Sequence, residues 1–562
     1  MPCCARPVLA LLVGCLAMAV LGAGAGAATQ PRLVLQITVD QLRGDMPLRF
    51  RERFGPDGFR YLMDRGAVFT GAHYRHATTR TAVGHATLFT GGHAAQHGIV
   101  SNKWTDAETG ADVYCVADAR HSVIGGVPDP NRGASPRNLT STTIGDELVL
   151  ATNGRSRVFA VSLKDRAAII PGGHLGKAFW YDKDDGRMVT STYYYDSDPD
   201  WLAAWNADGP ADRYWSATWT LSRDPATYLY AETDDRASEV SRPPLGRTFP
   251  HPLAPKGSKS YYGSLLFTPM ADEMTLDFVQ TLVRAERIGQ GESTDFLAIS
   301  FSATDLIGHA FGPNSLEAEE NLLRLDATLA RLFAFIDAQV GLEQTLIVLS
   351  SDHGAGESPE HMKALGFPAG RLIARRVRNQ VNAALRGRFG TRADLVAAYK
   401  HPNLYLDLQA VRALGRDVAE VERALAEAVL KVPGVALALT RSDLLFGRVP
   451  NTLIAEKVLN SFHPDRSGHV LVVLDPHWQT FRSPGAMAVT HVSPYAYDTY
   501  VPIMIAGPGV GPKIVRRSVA PSDVAPTIAA YLGINPPSGA VGTPLPEALP
   551  AALLESPSVS TQ

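Results

Sequence analysis

Three hydrophobic runs in this chain lead into a carboxylate. Asp40 stands at the end of "RLVLQITVDQ", Asp305 at the end of "DFLAISFSATD", and Asp352, with His353 beside it, at the end of "TLIVLSSDHG". His309 follows Asp305 by four residues in "DLIGH", and His491 lies in "AVTHVSPYAYDTYVP", just before another apolar run. A single Asp at a strand end is ordinarily a helix cap. Six Asp and His side chains gathered at the ends of neighbouring strands are a costly concentration of charge unless cations sit among them. Imidazole mixed with carboxylate suits zinc, whereas an all-oxygen set would suit magnesium or calcium.

The stretch "TTRTAVGHATLFTGGHAAQHGIVSNKW", Thr78 to Trp104, supplies hydroxyls. Its Thr content favours a strand, but Gly84 and the Gly91, Gly92 pair interrupt any ladder. A free Thr hydroxyl is a poor nucleophile at neutral pH, and coordination to a metal would lower its pKa. Any of its Thr hydroxyls could take that part, Thr79 and Thr81 among them. His85 and His97, taken singly, read as hydrogen-bonded structural groups. Lys164 and Arg166 in "VSLKDRAAII" are two residues apart, a spacing that on a strand sends both to one face. Taken without context, such a pair is a solvated surface feature.

The elements that must position these groups alternate. Buried strands are expected at the three runs above and at "RVFAVSL" and "VPIMIAG", with helical patterns between them. One helix is expected from Asn314, with Glu317 at capping-box spacing and Leu322, Leu325, Leu329, Phe333 and Ile336 on one face. Another runs from Ser522 to a stop at Gly533. The pattern predicts an α/β fold with a mainly parallel central sheet sandwiched by helices, whose ligands sit outside the carboxyl ends of the strands. Two stretches leave the alternation and read as inserted caps: an aromatic-rich 175–285 and an α+β 357–487. The core is then 29–174, which carries the nucleophile, 286–356, which carries metal ligands, and 488–562. The acidic "DKDDG" at Asp182 lacks the spacing of a calcium loop and reads as a solvated turn.

At 562 residues, 45% hydrophobic and 19% charged, the chain can bury a large core. A net charge of -3 with no basic run argues against a nucleic-acid partner and for small substrates. Residues 1–28 have the pattern of an export signal, so a periplasmic or secreted protein is expected. No membrane span is expected, although "LVGC" ending at Cys15 offers an alternative reading as a lipid-anchor site. Past the signal only Cys115 remains, which leaves no intramolecular disulfide.

The blocks "TVDQLRGD", "TRTAVGHATLFTGG", "QHGIVSN", "SATDLIGHAFGP", "SSDHG" and "THVSPYAYDTYVPIMIAGPGV" resemble, in order, the signatures of the alkaline phosphatase superfamily. Between about Arg32 and Gly542 the chain most resembles the phosphate-irrepressible periplasmic branch with a Thr nucleophile. That resemblance implies Thr81 as nucleophile. It implies one zinc held by Asp40, Asp352, His353 and Thr81 and a second held by Asp305, His309 and His491, two per chain. Asn102, Lys164 and Arg166 would bind the transferred phosphoryl group, with Lys164 replacing the third, magnesium-type site of other members. The implied activity is hydrolysis of small phosphate monoesters through a phosphothreonine. The alternatives are a nucleotide pyrophosphatase/phosphodiesterase of the same superfamily, which would lack the Lys and Arg, and an exported zinc- or phosphate-binding protein without turnover. The absence of a CxPxR-type motif near Thr81 argues against a sulfatase.

Overall fold

The computed structural model describes residues 30–255 and 257–554; the expected signal, with Cys15, lies outside them. The strands of the main sheet are β1 (Leu33–Val39), β2 (Ala67–Phe69), β3 (Val158–Ser162), β4 (Lys177–Asp182), β5 (Arg187–Val189), β6 (Asp295–Phe301), β7 (Thr345–Ser350), β8 (Ile503–Ala506) and β9 (Lys513–Val515). They lie in the order β9-β2-β8-β7-β1-β6-β3-β4-β5. The five central strands, β7 through β4, are mutually parallel; β8 and β5 run against their inner neighbours. All five runs expected to be buried strands are strands of this sheet.

Alternation along β1 divides the core. Leu33, Leu35, Ile37 and Val39 join one apolar cluster with Phe278 and Leu282 of a helix at Met270–Glu286 and with Leu329 and Phe333 of a helix at Leu316–Gln339. Val34 faces the other way, in a cluster with Leu88 of the helix α1 (Thr81–Thr90) and Ile528 of a helix at Val524–Leu532. Helices on both faces bury every residue of β1, which is why the strand reads as a continuous apolar run.

The Thr-rich stretch forms α1, in keeping with the glycines that argue against a strand. Three local expectations change. The Leu316–Gln339 helix is capped by Ser315, whose hydroxyl accepts from Ala318 N, not by Asn314. Asp305 lies within α3 (Ala303–Phe311), not at the end of β6, so Asp305 and His309 share one helix face. Lys164 caps the helix α2 (Asp165–Gly172) and Arg166 lies in its first turn, because β3 ends at Ser162. The sheet also runs past residue 174: "KAFWYD" is an almost wholly buried strand, and "DKDDG" is the turn joining it to β5. Trp201 and Trp205 pack on Phe278, and Trp219 on Phe249 and His251, so the aromatics of this stretch are core. Within 357–487 a separate four-stranded sheet has its own apolar cluster.

One glycine sets how closely α1 approaches the site. A Cβ on Gly84 would stand 2.0 Å from the Asp352 carbonyl oxygen. Gly84→Ala is expected to cost about 1–3 kcal/mol by overpacking, seen as a lower Tm together with reduced activity. An unchanged Tm would mean that the helix backs away freely.

Candidate active site

The carboxyl ends of β6, β1 and β7, three adjacent strands, bring five of the six Asp and His residues together. Asp40 directly follows β1 and its N–H donates to Phe301 O at 2.9 Å; Asp352 and His353 follow β7; Asp305 and His309 come from the helix after β6. These five and His491, which comes from the loop before β8, are all buried. Two groups have ligand atoms close enough to share an ion: Asp305 with His309 and His491, and Asp40 with Asp305 and His353.

Three orphaned atoms test whether a metal fits. Asp40 Oδ1, Asp352 Oδ2 and His353 Nε2 are buried with no hydrogen-bond partner among the described residues. His353 Nε2 lies 3.5 Å from each of the two oxygens. Ligands bound at about 2.0–2.2 Å around a tetrahedral ion stand about 3.3–3.6 Å apart, so the spacing suits one. In the second group His309 Nε2 and His491 Nε2 lie 3.2 and 3.6 Å from Asp305 Oδ1.

The imidazoles are held in the tautomer that a ligand needs. His309 Nδ1 donates to Val489 O at 2.9 Å, His491 Nδ1 to Thr79 O at 2.5 Å and His353 Nδ1 to Gly354 O at 3.1 Å. Each Nε2 lone pair is thereby turned inward. Burial, with neighbouring imidazoles, pushes His491 well below the usual range and keeps it neutral. Asp40 is raised well above the carboxylate range by burial and by Asp352 and Asp305. Burial also opposes ionisation of Asp305, but His309 and Lys164 outweigh it and hold the group well below. The cluster carries more negative charge than its surroundings balance.

Among the described residues, Lys164 is the one cation bonded directly to it. Its Nζ donates to Asp40 Oδ2 and Asp305 Oδ2, each at 2.6 Å. Arg166, alongside, is held by Tyr114 and Asp165. Thr81 is the first residue of α1, where the helix dipole favours negative charge on its oxygen. Asn102 Oδ1 accepts from Ala82 N at 2.9 Å, which fixes the Asn amide against that same helix start.

Thr79 is engaged otherwise. Its Oγ1 accepts from Val492 N and Ser493 N, both at 3.1 Å, so it braces the loop of His491. His85 bonds Thr81 O and Ser300 Oγ, and His97 pairs with Thr87 and Ile99, consistent with structural roles. Gln41 was not singled out in the sequence. Its backbone N donates to Asp352 Oδ1 at 3.1 Å and its Nε2 to Asp305 Oδ1 at 2.6 Å, with φ at 68°. A polar residue directly after Asp40 was the only signal.

The site and sheet define a class, and comparison gives its family. The family model for type I phosphodiesterase/nucleotide pyrophosphatase matches residues 34–493, and the chain belongs to that family and to the alkaline phosphatase superfamily. It is 34% identical over 516 residues to alkaline phosphatase PhoV of Synechococcus elongatus, covering 91% of this chain and 92% of that protein. It is 33% identical over 529 residues to alkaline phosphatase PafA of Elizabethkingia meningoseptica, covering 93% and 95%. A crystal structure of a PafA variant superposes with a TM-score of 0.86 at 32% identity, covering 93% of this chain and 100% of that one. That variant is substituted at a Thr, an Asn, a Lys and an Arg separated by 21, 62 and 2 positions. Thr81, Asn102, Lys164 and Arg166 stand at the same separations.

Ligands that bind only the native state raise its stability. Removal of metal with a chelator is therefore expected to lower the Tm as well as abolish activity, and a melting curve that does not move would separate the ions from the fold. Gln41→Asn, which tolerates the positive φ but withdraws from Asp305, should weaken metal binding by about tenfold or more in a metal titration.

Proposed function

We propose that this chain is a zinc-dependent alkaline phosphatase that hydrolyses small phosphate monoesters through a phosphothreonine at Thr81 and releases inorganic phosphate. The observation that carries the reading is Lys164, a largely buried ammonium between Asp40 and Asp305 with Arg166 two residues on. A pair of cations at the phosphoryl site favours the dianion of a monoester over the monoanion of a diester.

In this reading one zinc is held by Asp40, Asp352, His353 and Thr81, and the other by Asp305, His309 and His491. Bound there, the ions would supply Lewis-acid stabilisation of oxygen charge and lower the pKa of the Thr81 hydroxyl. The Thr81 hydroxyl gives its proton to solvent as its oxygen attacks phosphorus, the bond to the ester oxygen breaks, and the departing alkoxide takes a proton from solvent to leave as the alcohol. Water then cleaves the phosphothreonine, restoring the hydroxyl and freeing phosphate. Asn102 and Arg166 orient the phosphoryl oxygens while Lys164 balances the carboxylates. Residues 1–28 are read as an export signal that delivers the enzyme to the periplasm or the medium, and the irregular parts of 175–285 and 357–487 as caps over the site. The family model's description keeps a nucleotide pyrophosphatase/phosphodiesterase as the rival, and the Lys and Arg argue against it.

Rates on an aryl monoester and an aryl diester, measured with metal content on one sample, test this. Thr81→Ala should abolish turnover and retain metal, while Thr79→Ala should be milder. With each charge-assisted contact worth about 2 kcal/mol, Lys164→Ala combined with Arg166→Ala should lower monoester kcat/KM by about a thousandfold and diester hydrolysis far less. Equal losses on both substrates would make the pair structural, and an unmutated protein that prefers diesters would give the function to the rival.

A further inference from the structure

A third cation stands at the nucleophile, and the reaction as described does not use it. Arg80 directly precedes Thr81 and caps α1 through its backbone. Its Nη2 donates to His401 O at 3.3 Å, while its buried Nε has no hydrogen-bond partner among the described residues. No carboxylate forms an ion pair with it among the described residues, although Arg166, Asp305 and His491 all lie within electrostatic reach. A guanidinium taken largely out of water without an anion is a costly group to keep, and Arg is the side chain best shaped to grip phosphate in two places.

The direction of its head group indicates which part of a substrate it meets. His401 Nε2 in turn bonds Val492 O, at 3.1 Å, the carbonyl beside His491. Arg80 is thus tied to the 357–487 stretch and to the His491 loop, whereas Lys164 is tied to Asp40 and Arg166 to Tyr114. The transferred phosphoryl group already has Asn102, Arg166 and the metal groups for its oxygens. A further donor on the His491 side is placed for charge elsewhere on the molecule.

We propose that Arg80 binds a second phosphoryl group carried by the leaving group, so that the preferred substrates are phosphate anhydrides or bisphosphorylated molecules. This rests on the phosphatase reading above. With pyrophosphate, the bond broken joins the attacked phosphorus to the bridging oxygen, which departs with the second phosphate held by Arg80; water completes the hydrolysis as before.

The test compares inorganic pyrophosphate with phenyl phosphate, whose leaving group carries no second phosphate, in the metal-loaded enzyme and in Arg80→Gln and Arg80→Lys. The expected result is a loss of kcat/KM in Arg80→Gln that is at least about tenfold greater on pyrophosphate than on phenyl phosphate, partly recovered in Arg80→Lys. Competitive inhibition of phenyl phosphate hydrolysis by methylenediphosphonate should weaken in parallel, while Tm and metal content report folding. Equal losses on both substrates, or inhibition by methylenediphosphonate that Arg80→Gln leaves unchanged, would overturn the assignment. If the unmutated enzyme releases no phosphate from phenyl phosphate, it is the phosphatase reading that fails.

Discussion

Lys164 lies 2.6 Å from Asp40 and 2.6 Å from Asp305, and it is a single ammonium set against three buried carboxylates. Much of the local architecture follows from that imbalance. The protein donors take one oxygen from each of two carboxylates: Lys164 holds Asp40 Oδ2 and the Gln41 N–H holds Asp352 Oδ1. The other oxygens, with His353 Nε2, are left facing one another. Such an arrangement is expensive for a bare protein, because buried polar groups are normally paired and buried charges compensated. It becomes favourable only where cations are bound, and the fold keeps it in place through elements that touch the site on one side only.

Those elements act at a distance from the chemistry. Tyr74 donates to Ser351 O at 2.8 Å, fixing the segment before Asp352. Ser461 Oγ accepts from the N–H groups of Ala77 and Thr78, at 2.8 and 3.1 Å, and buried Lys457 donates to Pro494 O at 2.8 Å. The 357–487 stretch is thereby bonded both to the loop that leads into Thr81 and to the loop that follows His491. Thr79 links these two loops to each other. The proposed nucleophile and the proposed ligand His491 are positioned by one continuous set of hydrogen bonds, so small displacements in one loop are felt in the other.

The strands and their order of use were legible in the sequence because burial on both faces erases alternation and leaves unbroken apolar runs. The Asp and His ligand candidates were legible because each stands where such a run stops. Finer placement was not. Asp305 was expected on a strand end because its run continues through "SFSATD", but the backbone turns into a helix after Phe301, with Ser302 and Ala303 N–H groups caught by Asp272, a partner 30 residues away in sequence. Lys164 and Arg166 were expected on one strand face for the same reason, yet β3 stops two residues earlier. Gln41 and Arg80 left no pattern, since their meaning comes only from partners more than 250 residues distant, Asp305 for one and His401 for the other.

Under the proposed function, charge would also account for selectivity. Three carboxylates and one ammonium leave two negative charges, and the two divalent cations of the proposed centre would turn that into two positive ones. A Thr81 alkoxide would remove one and Arg166 would restore it, so that such a site would present two positive charges to the phosphoryl group. A monoester dianion neutralises them, whereas a diester leaves one uncompensated inside a region from which water is largely excluded, where electrostatic imbalance is felt strongly. Arg80 lies outside this balance. Among the described residues its charge has no ion-pair partner, so under this proposal the same electrostatics that favour a monoester at Thr81 favour a second phosphate beyond it.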